Sequence, residues 1–121
     1  MKIILLVEDD DMSRDMLSRR LVKLGYVVIE ARNGAEAVDT ARQENPDLIL
    51  MDVCMPRMGG LEATRRLRND VKTARIPIIA LTALNTAEDV RRAIQAGCSD
   101  YETKPVALIK LNFKIRKLLG S

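Results

Sequence analysis

The sequence predicts an α/β fold, a doubly wound parallel sheet of five strands with helices on both faces. Three observations carry that expectation. Short aliphatic runs alternate five times with longer amphipathic stretches between Ile3 and Leu119. The runs are unbroken rather than alternating, as strands buried on both faces require. A length of 121 residues fits one unit, 1–121, and no linker, repeat or low-complexity segment divides it. Right-handed crossovers then distribute the helices over both faces.

Each element has its own signal. Ile3–Val7 is an apolar strand that runs into Glu8-Asp9-Asp10-Asp11. A helix follows over about 11–25, with Asp11 as N-cap, Met16, Leu17, Leu21 and Leu24 at helical spacing, and Gly25 as the residue that ends it. Residues 27–29 form a second, β-branched strand. Asn33-Gly34 breaks it, Ala35, Ala37, Val38 and Ala41 give a small-residue helix face, and Asn45-Pro46 stops that helix. Residues 47–52 are a third buried strand ending on an acid. Met55-Pro56 and Gly59-Gly60 mark a loop, and 61–67 is helical with Leu61, Thr64 and Leu67 in phase. Residues 76–81 form the fourth strand, leading to Thr82-Ala83. A helix over 86–96 is closed by Gly97. Residues 99–103 are a shorter, more polar fifth strand ended by Lys104-Pro105, and a last helix runs over about 106–119.

Composition removes several chemistries. The chain has no His, which excludes a histidine general base, His-based triads and zinc sites of the Cys/His kind. It has no Trp, and its aromatics are Tyr26, Tyr101 and Phe113, too few for a base-stacking platform. Two cysteines, Cys54 and Cys98, make no disulfide framework, so a reducing cytoplasm and free thiols are expected. No apolar run reaches the roughly 18 residues of a membrane span, and the apolar N-terminal run is too short for a signal peptide. The net charge of +3 is uneven: residues 1–60 carry 8 Lys/Arg against 11 Asp/Glu, residues 61–121 carry 12 against 6. The basic residues are dispersed and no helix-turn-helix pattern exists, so direct nucleic-acid binding by this segment is not expected.

In an open α/β sheet, ligands bind beyond the carboxyl ends of the strands. The first strand delivers Glu8, Asp9 and Asp10 there, the third Asp52, the fourth Thr82 and the fifth Lys104; the second delivers Glu30, with nothing obviously complementary beside it. Carboxylates gathered at one edge repel each other unless a counter-charge intervenes. A hard cation with oxygen ligands relieves this, and Mg²⁺, which keeps waters and takes a phosphate oxygen, fits best. Lys104 adds a positive charge and Thr82 a hydroxyl donor for phosphoryl oxygens. The set predicts phosphoryl transfer with Asp52 as the attacking oxygen, because carboxylates form acyl phosphates. Asp10 and Asp11 are expected to serve the helix N-terminus rather than a metal. No phosphate-cradling glycine loop is present, so the phosphoryl group is expected from outside.

The motifs Val7-Glu8-Asp9-Asp10, Met51-Asp52-Val53-Cys54-Met55-Pro56-Arg57-Met58-Gly59-Gly60, Leu81-Thr82-Ala83 and Tyr101-Glu102-Thr103-Lys104-Pro105 stand in an order that resembles the receiver domain of two-component response regulators. The resemblance covers essentially the whole chain. It implies a flavodoxin-like sheet of order 2-1-3-4-5. It implies that Asp52 accepts phosphate from a histidine kinase or phosphotransfer protein. It also implies that Asp9, Asp52 and the backbone carbonyl of Cys54 ligate Mg²⁺, with Glu8 acting largely through water. Thr82 and Lys104 would bind the phosphoryl group, Lys104–Pro105 would be a cis peptide, and Tyr101 would be a switch aromatic moving with Thr82. The chain departs from the common Met-Pro-x-Met-Asp-Gly pattern in having Gly59 where that pattern has Asp, which predicts a looser loop. Cys54 and Leu84 stand where such domains tune phosphate lifetime, and neither can position a water, which predicts slow self-dephosphorylation.

In the last helix, Leu108, Leu111, Ile115 and Leu118 make a core stripe, while Val106, Ile109 and Phe113 fall on another side, flanked by Lys110, Lys114 and Lys117. That second side packs on a neighbouring helix, meets a downstream protein target or forms a homodimer. The whole reads as a signalling module that assists its own phosphorylation rather than a metabolic enzyme. Two rivals remain. One is a phosphorylation-independent adaptor of the same fold, which would need none of the acid, Thr and Lys set. The other is an aspartyl-phosphate phosphohydrolase, which would resemble Asp-x-Asp where this chain has Asp52-Val53-Cys54. A flavin site lacks both a phosphate cradle and a stacking aromatic. No output segment follows Leu119, which fits a stand-alone unit or part of a longer chain.

Overall fold

The five strands expected from the sequence lie in one sheet. The structure, a computed structural model, describes residues 1–55, 58–83 and 86–120. The elements are β1 (Ile3–Val7), α1 (Asp11–Lys23), β2 (Val27–Ala31), α2 (Gly34–Glu44), β3 (Leu48–Asp52), α3 (Gly60–Arg68), β4 (Ile78–Thr82), α4 (Ala87–Ala96), β5 (Asp100–Thr103) and α5 (Leu108–Leu119). The five strands are all parallel, in the order β2-β1-β3-β4-β5. This is the flavodoxin-like order that the motifs implied. Leu84, Pro56 and Arg57 lie outside the described residues.

The period of two along each strand divides the core into two layers. Leu5, Val7, Ile49, Met51, Ile78 and Ala80 face one side, with Ala37 and Ala41 of α2, Ala63 and Leu67 of α3 and Ala93 of α4. Ile4, Leu6, Leu48, Leu50, Ile79 and Leu81 face the other, with Leu21 of α1 and Leu111 and Ile115 of α5. The crossover from β1 to β2 moves one way along the sheet and the later crossovers move the other way. A single handedness therefore requires α1 to lie opposite α2, α3 and α4, as it does. None of the described helices is long and apolar enough to cross a membrane.

Several boundaries differ from the sequence reading, each for a local reason. The N-cap of α1 is Asp10, not Asp11: its carboxylate accepts from the Ser13 backbone N–H at 2.8 Å. Met16 is 51% exposed although it keeps the helical spacing, because the inward face of α1 turns past it to Leu17 and Leu21 and draws in Arg14 and Ser18 instead. β4 begins at Ile78 rather than Ile76; Pro77 has no N–H for the ladder, and the Ile76 carbonyl is taken by Arg68. Residue 99 stands before β5, where its hydroxyl accepts from the Ile78 N–H at 3.1 Å. α5 begins at Leu108 rather than Val106, and Val106 packs on the core layer of α1 and α5. Thr86 is the N-cap of α4 and closes a capping box with Asp89.

Candidate functional site

Parallel pairing carries each strand end one step beyond its neighbour. Val7 pairs with Met51, Asp52 with Leu81, and Thr82 with Thr103. Glu8, Asp52, Thr82 and Lys104 thus arrive at one rim, where the chain's crossovers reverse direction and the helices leave a crevice. Backbone bonds continue the pairing past the strands: Glu8 N–H donates to the Ala31 carbonyl at 3.1 Å, Val53 N–H to Leu81 at 3.0 Å and Lys104 N–H to Thr82 at 2.8 Å. The Lys104–Pro105 peptide is cis.

Within that rim, carboxylate oxygens of Glu8, Asp9 and Asp52 all lie within 4.8 Å of one another. Glu8 and Asp52 are buried and Asp9 is exposed, which suits a site closed toward the core and open to solvent. The side chain of Lys104 reaches both buried acids, with Nζ 2.8 Å from Glu8 Oε1 and 3.2 Å from Asp52 Oδ2. Burial, joined by the Glu8 carboxyl, pushes Asp52 up to about 7, against the pull of Lys104. Burial would raise Glu8 as well, but hydrogen bonds to Asp52 and Lys104 outweigh it and leave Glu8 below its ordinary value. Burial works against the Lys104 ammonium, and its two acids more than offset it, so its pKa is raised. The two buried carboxyls therefore share one lysine, and burial beside Glu8 favours the protonated form of Asp52.

Oxygen donors only, two of them buried and one facing solvent, suit a hard divalent cation that retains waters. Cys54 lies two residues beyond Asp52, with its side chain exposed and its thiol free. Thr82 is buried at the end of β4. Tyr101 pairs with Ala80 across β4 and β5 and packs half-buried on the layer of α2, α3 and α4. Lys114 of α5 holds it from outside, with Nζ donating to the Tyr101 carbonyl at 2.5 Å and lying 4.9 Å from the ring centre. The same ammonium lies 3.3 Å from the buried Glu102 carboxylate. Ile109 and Phe113 stand away from the rim, on the exposed side of α5.

Two features escaped the sequence reading. Glu8 meets Lys104 directly, a pairing across 96 residues that no local pattern announces. Glu30 does have a complement: Arg14, buried in α1, donates from Nε to Glu30 Oε1 at 3.0 Å and from Nη1 to the Glu8 backbone carbonyl at 2.8 Å, while Nη2 meets Asp11 at 2.5 Å. The bond to Asp11 outweighs burial and keeps the guanidinium pKa raised. Arg14 thereby fixes the backbone from which Glu8 projects. Its only sequence signal is a cation one turn into a helix that follows an acidic run.

The turn after Asp52 is equally close-packed. A Cβ on Gly60 would fall 2.1 Å from the Asp52 carbonyl oxygen, so only glycine fits there. Gly59 is the N-cap of α3 and supplies no side-chain cap.

Comparison with known proteins agrees with this geometry. The family profile described as "Response regulator receiver domain" matches residues 4–116. The polar-differentiation response regulator DivK of Brucella anthropi is 39% identical over 119 residues, spanning 98% of this chain and 97% of that protein. Among solved structures, the receiver domain of a sensor histidine kinase from Pseudomonas aeruginosa, with a magnesium ion coordinated in its active site cleft, superposes with a TM-score of 0.92 at 38% identity, covering 99% of this chain and 98% of that one. The receiver domain of a Saccharomyces cerevisiae response regulator, crystallised with the histidine phosphotransfer protein upstream of it, gives 0.89 at 35% identity over 97% of this chain and 88% of that one.

Proposed function

The chain belongs to the response regulator receiver domain family of two-component signalling, and on that premise we propose that Asp52 is its phosphoacceptor. Members of this family are signalling domains rather than metabolic enzymes. The observation that carries the proposal is the convergence on Asp52 of Glu8, Asp9 and Lys104 at one rim. An Asp52 oxygen attacks phosphorus, an O–P bond forms, and the N–P bond of a donor phosphohistidine breaks. The donor is a histidine kinase or a phosphotransfer protein, a reading supported by the yeast complex.

Glu8, Asp9, Asp52 and the Cys54 carbonyl would hold magnesium, a reading supported by the donor set and by the ion in the Pseudomonas neighbour. Bound there, the ion would supply positive charge to the acids and to the phosphoryl oxygens. Lys104 orients the incoming phosphoryl group by charge, and the buried Thr82 hydroxyl donates to it. Arg14, through the Glu8 carbonyl, keeps the acids in register. Phosphorylation changes the charge at this rim, and Thr82 with Tyr101 passes that change to the face of α4, β5 and α5, which a downstream protein reads.

The test is incubation with acetyl phosphate or phosphoramidate, with and without Mg²⁺, read by intact mass. We expect a gain of about 80 Da that needs the metal and disappears in Asp52→Asn. An unlabelled chain that still binds its partners would establish the phosphorylation-independent adaptor instead.

A further inference from the structure

The exposed apolar side chains of α5 stand on its side toward the end of α1, with Leu24. Ile109 is 88% exposed and Phe113 70%. They are four residues apart, and with Asn112, Arg116 and Lys117 they follow the 3.6-residue period down one side of the helix. The C-terminal end of α1 closes this stripe through Leu24, and together they line a groove of about 660 Å³. Tyr26 fixes its floor, its hydroxyl donating to Asn112 Oδ1 at 2.8 Å.

The charges around the groove have one sign. Arg116 and Lys117 line it, and no acid does. The last turn of α1 adds Arg20 and Lys23, and α5 contains no Asp or Glu. A helix C-terminus favours bases, which accounts for Arg116 and Lys117 singly. It does not account for an uncovered phenylalanine and isoleucine between basic borders. A second copy docked isologously would set these bases against their own kind. An open lipid surface would not fill a concave floor between two helices.

We propose that this α1–α5 groove is a docking site for an amphipathic helix of a partner protein, whose apolar anchors cover Leu24, Ile109 and Phe113 and whose acidic residues face Arg116 and Lys117. Recognition is independent of the phosphoryl chemistry, so both states of the chain bind.

The test uses a synthetic helical peptide of about 16 residues with leucines at i, i+3, i+4 and i+7 and glutamates elsewhere, followed by amide chemical shifts of the labelled protein. A lysine-for-glutamate peptide and vesicles of phosphatidylglycerol serve as controls. We expect the acidic peptide to shift Leu24, Ile109, Phe113 and Lys117, with binding weakened by salt. Phe113→Ala should weaken it about tenfold. The double substitution Arg116→Glu with Lys117→Glu should transfer the preference to the lysine peptide, and all variants should keep Asp52 labelling. Equal binding of both peptides, shifts that map elsewhere, vesicle binding without peptide binding, or a dimer in sedimentation that Phe113→Ala dissolves would each overturn the proposal.

Discussion

The role proposed for Asp52 sets opposing demands, since its carboxyl must lose a proton to attack and yet lies buried. The residue is 3% exposed, and burial with the Glu8 carboxyl pushes its pKa up to about 7, against an ordinary 3.8. Between those two values the folded protein holds a proton that the unfolded chain has released, so stability falls as pH rises through the window. Asp52→Asn removes that liability. With chelator present we expect its unfolding midpoint to exceed the wild type by roughly 4–8 °C at about pH 8, equivalent to about 1–2 kcal/mol, and the advantage to fade as pH falls toward 4. Calorimetry at stepped pH reads it, and a pH-independent difference would contradict the burial argument. Arg14→Met tests the support beneath Glu8. It strands the Glu8 carbonyl and leaves Glu30 unpaired, so urea denaturation should show a loss of about 1–3 kcal/mol, with weaker magnesium binding beside it. Cys54→Asn places an amide where a water could be positioned, and should shorten the lifetime of the Asp52 phosphate, timed by the decay of the labelled mass. These residues differ in how far the sequence revealed them. The acids and Lys104 are legible because strand ends collect ligands. Arg14 is not, because nothing in a helical pattern distinguishes a buried, triply bonded arginine from a solvated one.

At the level of elements, α3, the helix following β3, starts without a side-chain cap, as α5 does behind Ala107. Asn33 caps α2 and Thr86 caps α4 through side-chain oxygens, but Gly59 gives α3 nothing to replace them. Gly59→Asp restores a cap, and among the described residues its Cβ position meets the Val53 carbonyl at 3.4 Å. The gain over glycine should be a few tenths of a kcal/mol at most, because glycine already tolerates that position and the new charge faces an acidic rim. Gly60→Ala is the opposite case. With Asp52 O only 2.1 Å from the new carbon, the turn must move, and both stability and phosphodonor labelling should fall. The sequence revealed strands better than helix faces for a physical reason. A strand buried on both sides is a continuous aliphatic run, as in residues 48–51. α1 buries only a narrow band around Leu21, so the regularly spaced Met16 looks like core and is not. Likewise Ile76 extends an aliphatic run, yet the missing Pro77 N–H delays pairing to Ile78.

Across the whole molecule, alternation of apolar runs and amphipathic stretches was enough to expect both the architecture and the pole at which ligands gather, since sheet geometry leaves little choice. The opposite pole was illegible, because it depends on one long side chain. Arg68, at the end of α3, donates to the carbonyls of Gly97 at 2.9 Å, Ala74 at 3.1 Å and Ile76 at 2.7 Å. Its stem occupies space that a Cβ on Gly97 would need, 2.6 Å from Cγ. Removing these bonds in Arg68→Met should lower stability by about 2–3 kcal/mol in urea titration. Hydrogen exchange should then accelerate at the starts of β4 and β5 before it does at the acidic rim. That clamp divides the molecule the way a binding divides a book. Pages fastened along one margin can fan only at the other, so under the proposed function a protein gripping the Arg68 end should feel little difference between the phosphorylated and unphosphorylated chain, and whatever tells them apart should hold the loose edge.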